Sequence, residues 1–288
     1  MSRPLFSCVV PVKGARSFIA DALASLESQG MGEELEVIVQ DGTTEYTEHT
    51  EIPEGLNVQW FRERDVGQSD ALNNGFAKAK GEWLFWLNAD DVLLPGALKK
   101  IRALITSCAP STSDEVTQAP STSAATPHES TLSWIAGNVV YMDKSGFAKW
   151  CAWDRGWKVS YAGLPVQVYG PSSFFKRTLF EKSGGFDVSL HYAMDVDLWC
   201  KFRKMGYWYK KIPDFVWGFR IHEGSKTSCA QEGRWTQEQA AEQKIINERY
   251  GLNHVWMNTR MAKFSRLING SYAKSWVETH RRRGRPVV

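Results

Sequence analysis

The stretch "GEWLFWLNADD", residues 81–91, runs from a wholly apolar segment straight into acid. Residues 83–87 show no polar alternation, the pattern of a strand covered on both faces. Asn88, Asp90 and Asp91 follow at once, and "VLLPGAL" (92–98) opens another apolar segment. Two adjacent carboxylates at a strand end repel each other. A divalent cation is the first candidate to offset that repulsion.

The flanking sequence fits such a strand into a layered fold. "LFSCVVPV" (5–12), "LEVIVQDG" (35–42) and "NVQWFRE" (57–63) read as further strands. Residues 17–29 carry Phe18, Ala22, Leu26 and Gln29 at helical spacing. Residues 68–80 read as a helix that stops at Gly81, and another helix starts at Pro95 and ends near Ile105. This β-α-β-β-α-β-α order predicts an α/β fold: a Rossmann-like, mostly parallel central sheet with helices on both faces.

Residues 107–131 are rich in Ser, Thr, Ala and Pro and lack large apolar side chains. They are expected to form a disordered surface insertion in one domain, because a strand, "LSWIAGNVVYMD" (132–143), follows directly. Beyond it come a hairpin at "DKSG" (143–146), an extended aromatic run (163–177), a helix over 195–206 and two short strands within 207–227. Thr236 can cap a helix over 236–250, and 254–283 reads as helical, amphipathic and basic. The expected division is a catalytic domain, 1–235, and a C-terminal helical extension, 236–288.

Composition narrows the classes. A chain of 288 residues that is 43% hydrophobic can bury a sizeable core, and a net charge of +3 gives no reason to expect nucleic acid as a partner. The five cysteines are scattered and form no C-x-x-C, so neither a disulfide framework nor a zinc site is expected. Arg3 and Pro4 precede a short strand rather than a leader, and no apolar run approaches the ~20 residues of a spanning helix. The expectation is a cytoplasmic protein. Its basic C-terminal segment offers a peripheral contact with an anionic membrane, or else packs on the catalytic domain with a solvated basic face.

In a parallel sheet the C-terminal strand ends share one edge, where open α/β sheets bind ligands. Asp41, Asp90 and Asp91 all stand at that edge. There is no G-x-G-x-x-G after the first strand and no G-x-x-x-x-G-K-[ST], so the dinucleotide and P-loop readings lack their fingerprints. A carboxylate-held Mg2+ or Mn2+ neutralising a diphosphate remains.

Four stretches together resemble the family 2 glycosyltransferases, inverting enzymes of the GT-A fold that use nucleotide-diphosphate sugars. They are "SCVVPVKGARSFIADALASLESQ" with "LEVIVQDGTT", then "RDVGQSDALNNGFAKAKGEWLFWLNADDVLLPGAL", then "GGFDVSLHYAMDVDLW" and "FRIHEGSKT". The resemblance implies roles. Asp41 matches the residue that accepts the base N3–H in uridine-binding members, which favours UDP- or dTDP-sugars. Gln68 and Asp70 lie in the loop beside the base. Asn88 and Asp90 would meet ribose or metal-bound water. Asp91 and His222 match the metal ligands, for Mn2+ or Mg2+. Asp195 matches the catalytic base, and Arg220 and Lys226 would bind phosphate. The acceptor would be a glycan or a lipid-linked hydroxyl. Asn88 stands where many members carry Asp, and Met194-Asp195 replaces an acidic pair, so Asp197 is the rival base.

Each residue also has a plainer reading. Asp195 can be an N-cap, Asp197 a helix-dipole partner, His222 a loop histidine, and Arg220 and Lys226 solvated charges. A nucleotidyltransferase is the rival enzyme, although "VKGARSF" is a weak match to its glycine-rich loop. A non-catalytic nucleotide- or glycan-binding module is the rival outside enzymes.

Overall fold

The structure is a computed structural model and describes residues 3–13, 17–43, 51–108, 132–154, 168–225, 236–252, 263–264 and 266–288. The expected insertion (from residue 109 on) and Lys226 lie outside the described residues.

The first half follows the predicted order. Strand β1 (Phe6–Val12) leads to helix α1 (Ile19–Glu27), then β2 (Leu35–Asp41), β3 (Asn57–Arg62), α2 (Gln68–Lys78), β4 (Trp83–Trp86), the short β5 (Val92–Leu93) and α3 (Ala97–Ser107). The second half holds β6 (Trp134–Met142), β7 (Ala148–Ala152), β8 (Ser173–Lys176), α4 (Arg177–Ser183), α5 (Met194–Lys204), β9 (Lys210–Arg220), α6 (Gln237–Tyr250) and α7 (Ser271–Arg282). The sheet order is β3-β2-β1-β4-β8-β6-β9-β5, with β7 paired to β6. The run β3-β2-β1-β4 is parallel throughout, and β6 and β9 pair in parallel. Antiparallel β8 joins the two halves by pairing with β4 and β6.

Alternation within the strands explains the two covering layers. Phe6, Cys8 and Val10 of β1 and Trp83 and Phe85 of β4 pack with Ile19, Leu23 and Leu26 of α1 and Leu98 and Ile101 of α3. Val9, Leu84 and Trp86 point the other way, to Leu72 and Phe76 of α2 and Leu198 and Phe202 of α5. Period two thus divides one apolar run between two cores. Gly75 of α2 lies directly over Val9, where a Cβ would collide, so the helix can press close to the sheet. Trp83, Trp86, Trp134 and Trp199 are fully buried. These four tryptophans serve the core.

One expectation is corrected. Residues 207–227 were expected to hold two short strands, but β9 is one strand of 11 residues that continues through Pro213. The register against β6 shifts beside Asn138. There the buried Asn138 amide donates to the carbonyls of Ile212 (3.1 Å) and Asp214 (3.3 Å), serving groups that the ladder leaves. The amphipathic C-terminal helix also docks, but by its polar side. Ser275 and Thr279 accept from the N–H groups of Trp153 and Cys151 at 2.9 and 2.8 Å, next to the outer edge of β7. Thr236 caps α6 as predicted, in a reciprocal box with Gln239.

Candidate functional site

A cavity of about 680 Å³ opens at the C-terminal edge of the parallel strands. The end of β1 supplies Lys13, the loop before α2 supplies Asp65 and Gln68, and the loop after β4 supplies Asn88 and Asp90. From the second half come Gly170, His191, Asp195, Trp217 and His222. Five of the expected site residues therefore share one wall: Gln68, Asn88, Asp90, Asp195 and His222.

The segment that follows β4 arranges its polar groups in a chain. The Gln68 amide donates to Asn88 Oδ1 at 2.8 Å, and the Asn88 amide donates to Asp91 Oδ2 at 2.9 Å. Asp91 is fully buried, and its Oδ1 accepts the backbone N–H of Arg220 at 2.9 Å. Burial, and then the charge of Asp90, hold the Asp91 carboxyl well above the usual carboxylate range. Asp90 points the other way and lines the cavity. Its Oδ2 lies 2.9 Å from His222 Nε2. Gly224 N–H approaches His222 Nδ1 at 3.2 Å, which leaves the ring proton on Nε2 and directs it at Asp90. The structure therefore presents Asp90 beside His222, whereas the expected metal ligand, Asp91, faces inward.

Asp195 opens α5, half-buried on the cavity wall. Burial pushes its carboxyl up to about 6, against the pull of the backbone N–H groups of Val196, Asp195 itself and Gly170. Val196 N–H reaches Oδ1 at 2.8 Å. A Cβ on Gly170 would stand 2.7 Å from the Trp86 ring and 3.3 Å from Asp195 Oδ2. Any side chain at 170 would thus crowd the carboxylate against the indole. Two residues on, Asp197 is fully buried. Its Oδ1 accepts from Arg249 (2.7 Å) and Tyr250 (2.8 Å) of α6, and Lys201 lies 2.9 Å from Oδ2. Asp197 ties α6 to the domain and is absent from the cavity wall.

Three other expected residues stand elsewhere. Arg220, expected at phosphate, is 2% exposed. Its guanidinium donates to Asp90 O (2.8 Å), Lys144 O (2.7 Å) and Asp21 Oδ2 (2.7 Å), and it stacks on Phe18. Its guanidinium therefore holds the Asp90 backbone. Asp70 accepts from Val66 N–H at 3.1 Å and so closes the loop ahead of α2. Asp41 is buried at the end of β2, outside the cavity wall. It accepts from Thr43 N–H (3.0 Å) and Trp60 Nε1 (3.3 Å), with Arg62 at 3.5 Å.

Sequence reading missed Asp65 and Lys13. Asp65 accepts from Gly67 N–H at 3.0 Å, and Gly67 adopts φ 147°, a conformation that favours glycine. The D-x-G before a helix start was the available signal. Lys13, 68% exposed and 4.0 Å from Asp65, is a cation at the cavity rim.

Comparison with known proteins agrees with this fold. Residues 7–126 match the family model described as glycosyl transferase family 2. An uncharacterized glycosyltransferase of Rickettsia typhi is 25% identical over 233 residues, which cover 79% of this chain and 67% of that protein. A PGL/p-HBAD biosynthesis glycosyltransferase of Mycobacterium bovis is 32% identical over 110 residues, covering 36% of this chain and 43% of that one. Among solved structures, S. aureus TarS 1–349 in complex with UDP-GlcNAc superposes with a TM-score of 0.53 at 17% identity, covering 77% of this chain and 60% of that one. A mannosyltransferase of Pyrobaculum calidifontis in complex with GDP-Man and Mn2+ does so with a TM-score of 0.51 at 17% identity, covering 97% and 81%. The chain thus spans about two thirds of the Rickettsia relative and three fifths of the TarS structure. Residues 7–126 thus match the glycosyl transferase family 2 model, and the chain has the fold of the GT-A glycosyltransferases.

Proposed function

We propose that the protein transfers a sugar from a nucleotide-diphosphate sugar to an acceptor hydroxyl with inversion at the anomeric carbon, and that Asp195 is the base. The observation that carries this reading is the Asp195 carboxyl itself, raised to about 6 on the same cavity wall as Asp90 and His222. A base works best with a pKa near the operating pH. The acceptor O–H gives its proton to Asp195 as the oxygen attacks the anomeric carbon. The bond from that carbon to the diphosphate breaks, and its electron pair leaves with the phosphate oxygen. One displacement inverts the centre, and no covalent enzyme intermediate is needed. Tyr192 and Phe219 line the cavity, are only partly buried, and offer ring faces to a sugar.

Asp90 and His222, whose Oδ2 and Nε2 lie 2.9 Å apart, would hold Mn2+ or Mg2+ through one carboxylate and one imidazole. Among the described residues no cluster of three or more His, Cys, Asp or Glu side chains forms. Such a cation, when bound, neutralises charge on the departing diphosphate. For Nε2 to ligate, the ring proton would move to Nδ1, which now accepts the Gly224 N–H. Asn88 and buried Asp91 hold the loop behind this pair, and Lys13 stands at the rim for phosphate.

Uridine or thymidine is the proposed base, on the resemblance of Asp41 to a base-reading carboxylate, and the proposed acceptor is a glycan or lipid-linked hydroxyl. A panel of UDP-, dTDP- and GDP-sugars with Mn2+, read by nucleoside diphosphate release and by NMR of the product anomer, tests the reading. Release from a UDP- or dTDP-sugar, an inverted anomer and loss of release in EDTA are expected. A retained anomer would overturn the mechanism. Release from GDP-sugars alone would overturn the donor.

A further inference from the structure

Helix α7 is docked the opposite way round from an ordinary surface helix. Its polar positions face the protein: Ser271 and Glu278 are buried, and Ser275 and Thr279 bond to the backbone of Trp153 and Cys151. Ser275 also donates its hydroxyl to Trp153 O at 3.1 Å. The helix covers the edge next to β7 with hydroxyl groups, so its apolar positions are left facing out. Tyr272 is 41% exposed, Trp276 63% and Val277 48%. Just upstream, Phe264, Leu267 and Ile268 are 63%, 67% and 64% exposed. Scattered exposed apolar side chains are ordinary, but six within 14 residues form a patch.

The charge around this patch has one sign. Residues 263–288 carry seven Lys and Arg and a single acid, Glu278. Glu278 is turned inward, where Lys274, Arg281 and Arg282 surround it. Lys263, Lys274, Arg281, Arg283 and Arg285 are exposed. Arg281 follows Val277 by one turn, and with Arg282 and Arg285 it lines a second cavity of about 150 Å³. That volume suits a phosphate group among guanidinium forks.

We propose that this face docks on an anionic phospholipid bilayer, with Phe264, Leu267, Ile268 and Trp276 entering the interface and Arg281, Arg283 and Arg285 meeting lipid phosphates. Trp with Leu and Ile beside Lys and Arg is the composition that lies in a membrane interface. A protein partner of matching acidity, or a second copy of this chain, would not need an interfacial Trp beside a phosphate-sized arginine cavity. The proposal is independent of the transferase reading, because it concerns binding alone.

The test is flotation of the full chain with vesicles of phosphatidylcholine alone and of phosphatidylcholine with phosphatidylglycerol at two to one. Binding is expected only to the anionic vesicles, and it should fall as salt is raised. The triple variant Arg281→Gln, Arg283→Gln, Arg285→Gln should bind on the order of 100-fold more weakly. The variant Trp276→Ser with Leu267→Ser should also lose binding. All five side chains are exposed, so both variants should keep the wild-type melting temperature, which separates lost docking from lost fold. Failure of the wild type to float with anionic vesicles would overturn the proposal, as would unchanged binding by both variants. Concentration-dependent dimerisation abolished by Trp276→Ser, without vesicle binding, would assign the face to a second copy instead.

Discussion

The loop after β4 and the first turn of α5 each bring two carboxylates within three residues, and each divides them in the same way. Asp90 lines the cavity beside His222, while Asp91 is buried and holds Asn88 and the Arg220 backbone. Asp195 lines the cavity, while Asp197 is buried and holds Arg249, Tyr250 and Lys201. One member of each pair meets the solvent space and the other supports it. The lesson is that an acidic motif marks a neighbourhood, and the partners already engaged by each oxygen decide which carboxylate is available for chemistry. A site built this way keeps its exposed carboxylate on a loop whose backbone the buried one fixes.

Breaking each pair one member at a time should separate the two kinds. The largest effect expected is on turnover: Asp195→Asn should lower transfer by roughly 10²–10⁴-fold, the range of a lost general base, with little change in donor affinity or melting temperature. Initial rates beside donor titration by calorimetry check this. Asp90→Asn should come next. It should abolish the thermal stabilisation that Mn2+ with nucleoside diphosphate confers on the wild type, and an unchanged stabilisation would place the cation elsewhere.

The buried members should answer in stability instead. Asp197→Asn leaves Arg249 and Lys201 without their carboxylate. About 1–3 kcal/mol of unfolding free energy should be lost, less than for a wholly buried pair because Arg249 is about a third exposed. Urea denaturation measures it. Asp91→Asn should have the smallest effect. The buried carboxylate accepts donors on both oxygens, and an amide offers a single acceptor, so one donor is left facing an N–H group at a cost of about 1 kcal/mol or more. Loss of stability without loss of turnover in these two variants would sharpen the division.

Periodicity and charge made the scaffold legible. The largely apolar runs of β1, β2 and β4 and the helix over 68–78 appear where the sequence places them, because burial on both faces leaves a pattern of its own. β9 was misread as two strands because Pro213 looks like a break, and the Asn138 amide that serves the irregularity lies about 75 residues away in the chain. Asp90, Asp195 and His222, which line the cavity, could be named from motifs. Whether Asp91 or Arg220 faced the ligand could not, since both are engaged by groups distant in sequence. Arg220 reaches Asp21 across 199 positions, and no local spacing announces that. Asp65 and Lys13 passed unnoticed because a short loop acid and a single surface lysine have many ordinary explanations. The outward-facing apolar side of α7 was likewise hidden, since amphipathicity gives the two faces of a helix without saying which one docks.

The measurement that tests the central division most directly is the pH dependence of kcat/KM for transfer, in the wild type and in Asp197→Asn. A base must be unprotonated to work, so the rate should fall as pH drops through the Asp195 value. The profile should bend near about 6 and lose close to tenfold per pH unit below it. Asp197→Asn should show the same bend, because its carboxylate supports α6 and takes no proton from the acceptor. A bend that persists in Asp195→Asn and disappears in Asp197→Asn would contradict the account and move the base two residues along α5.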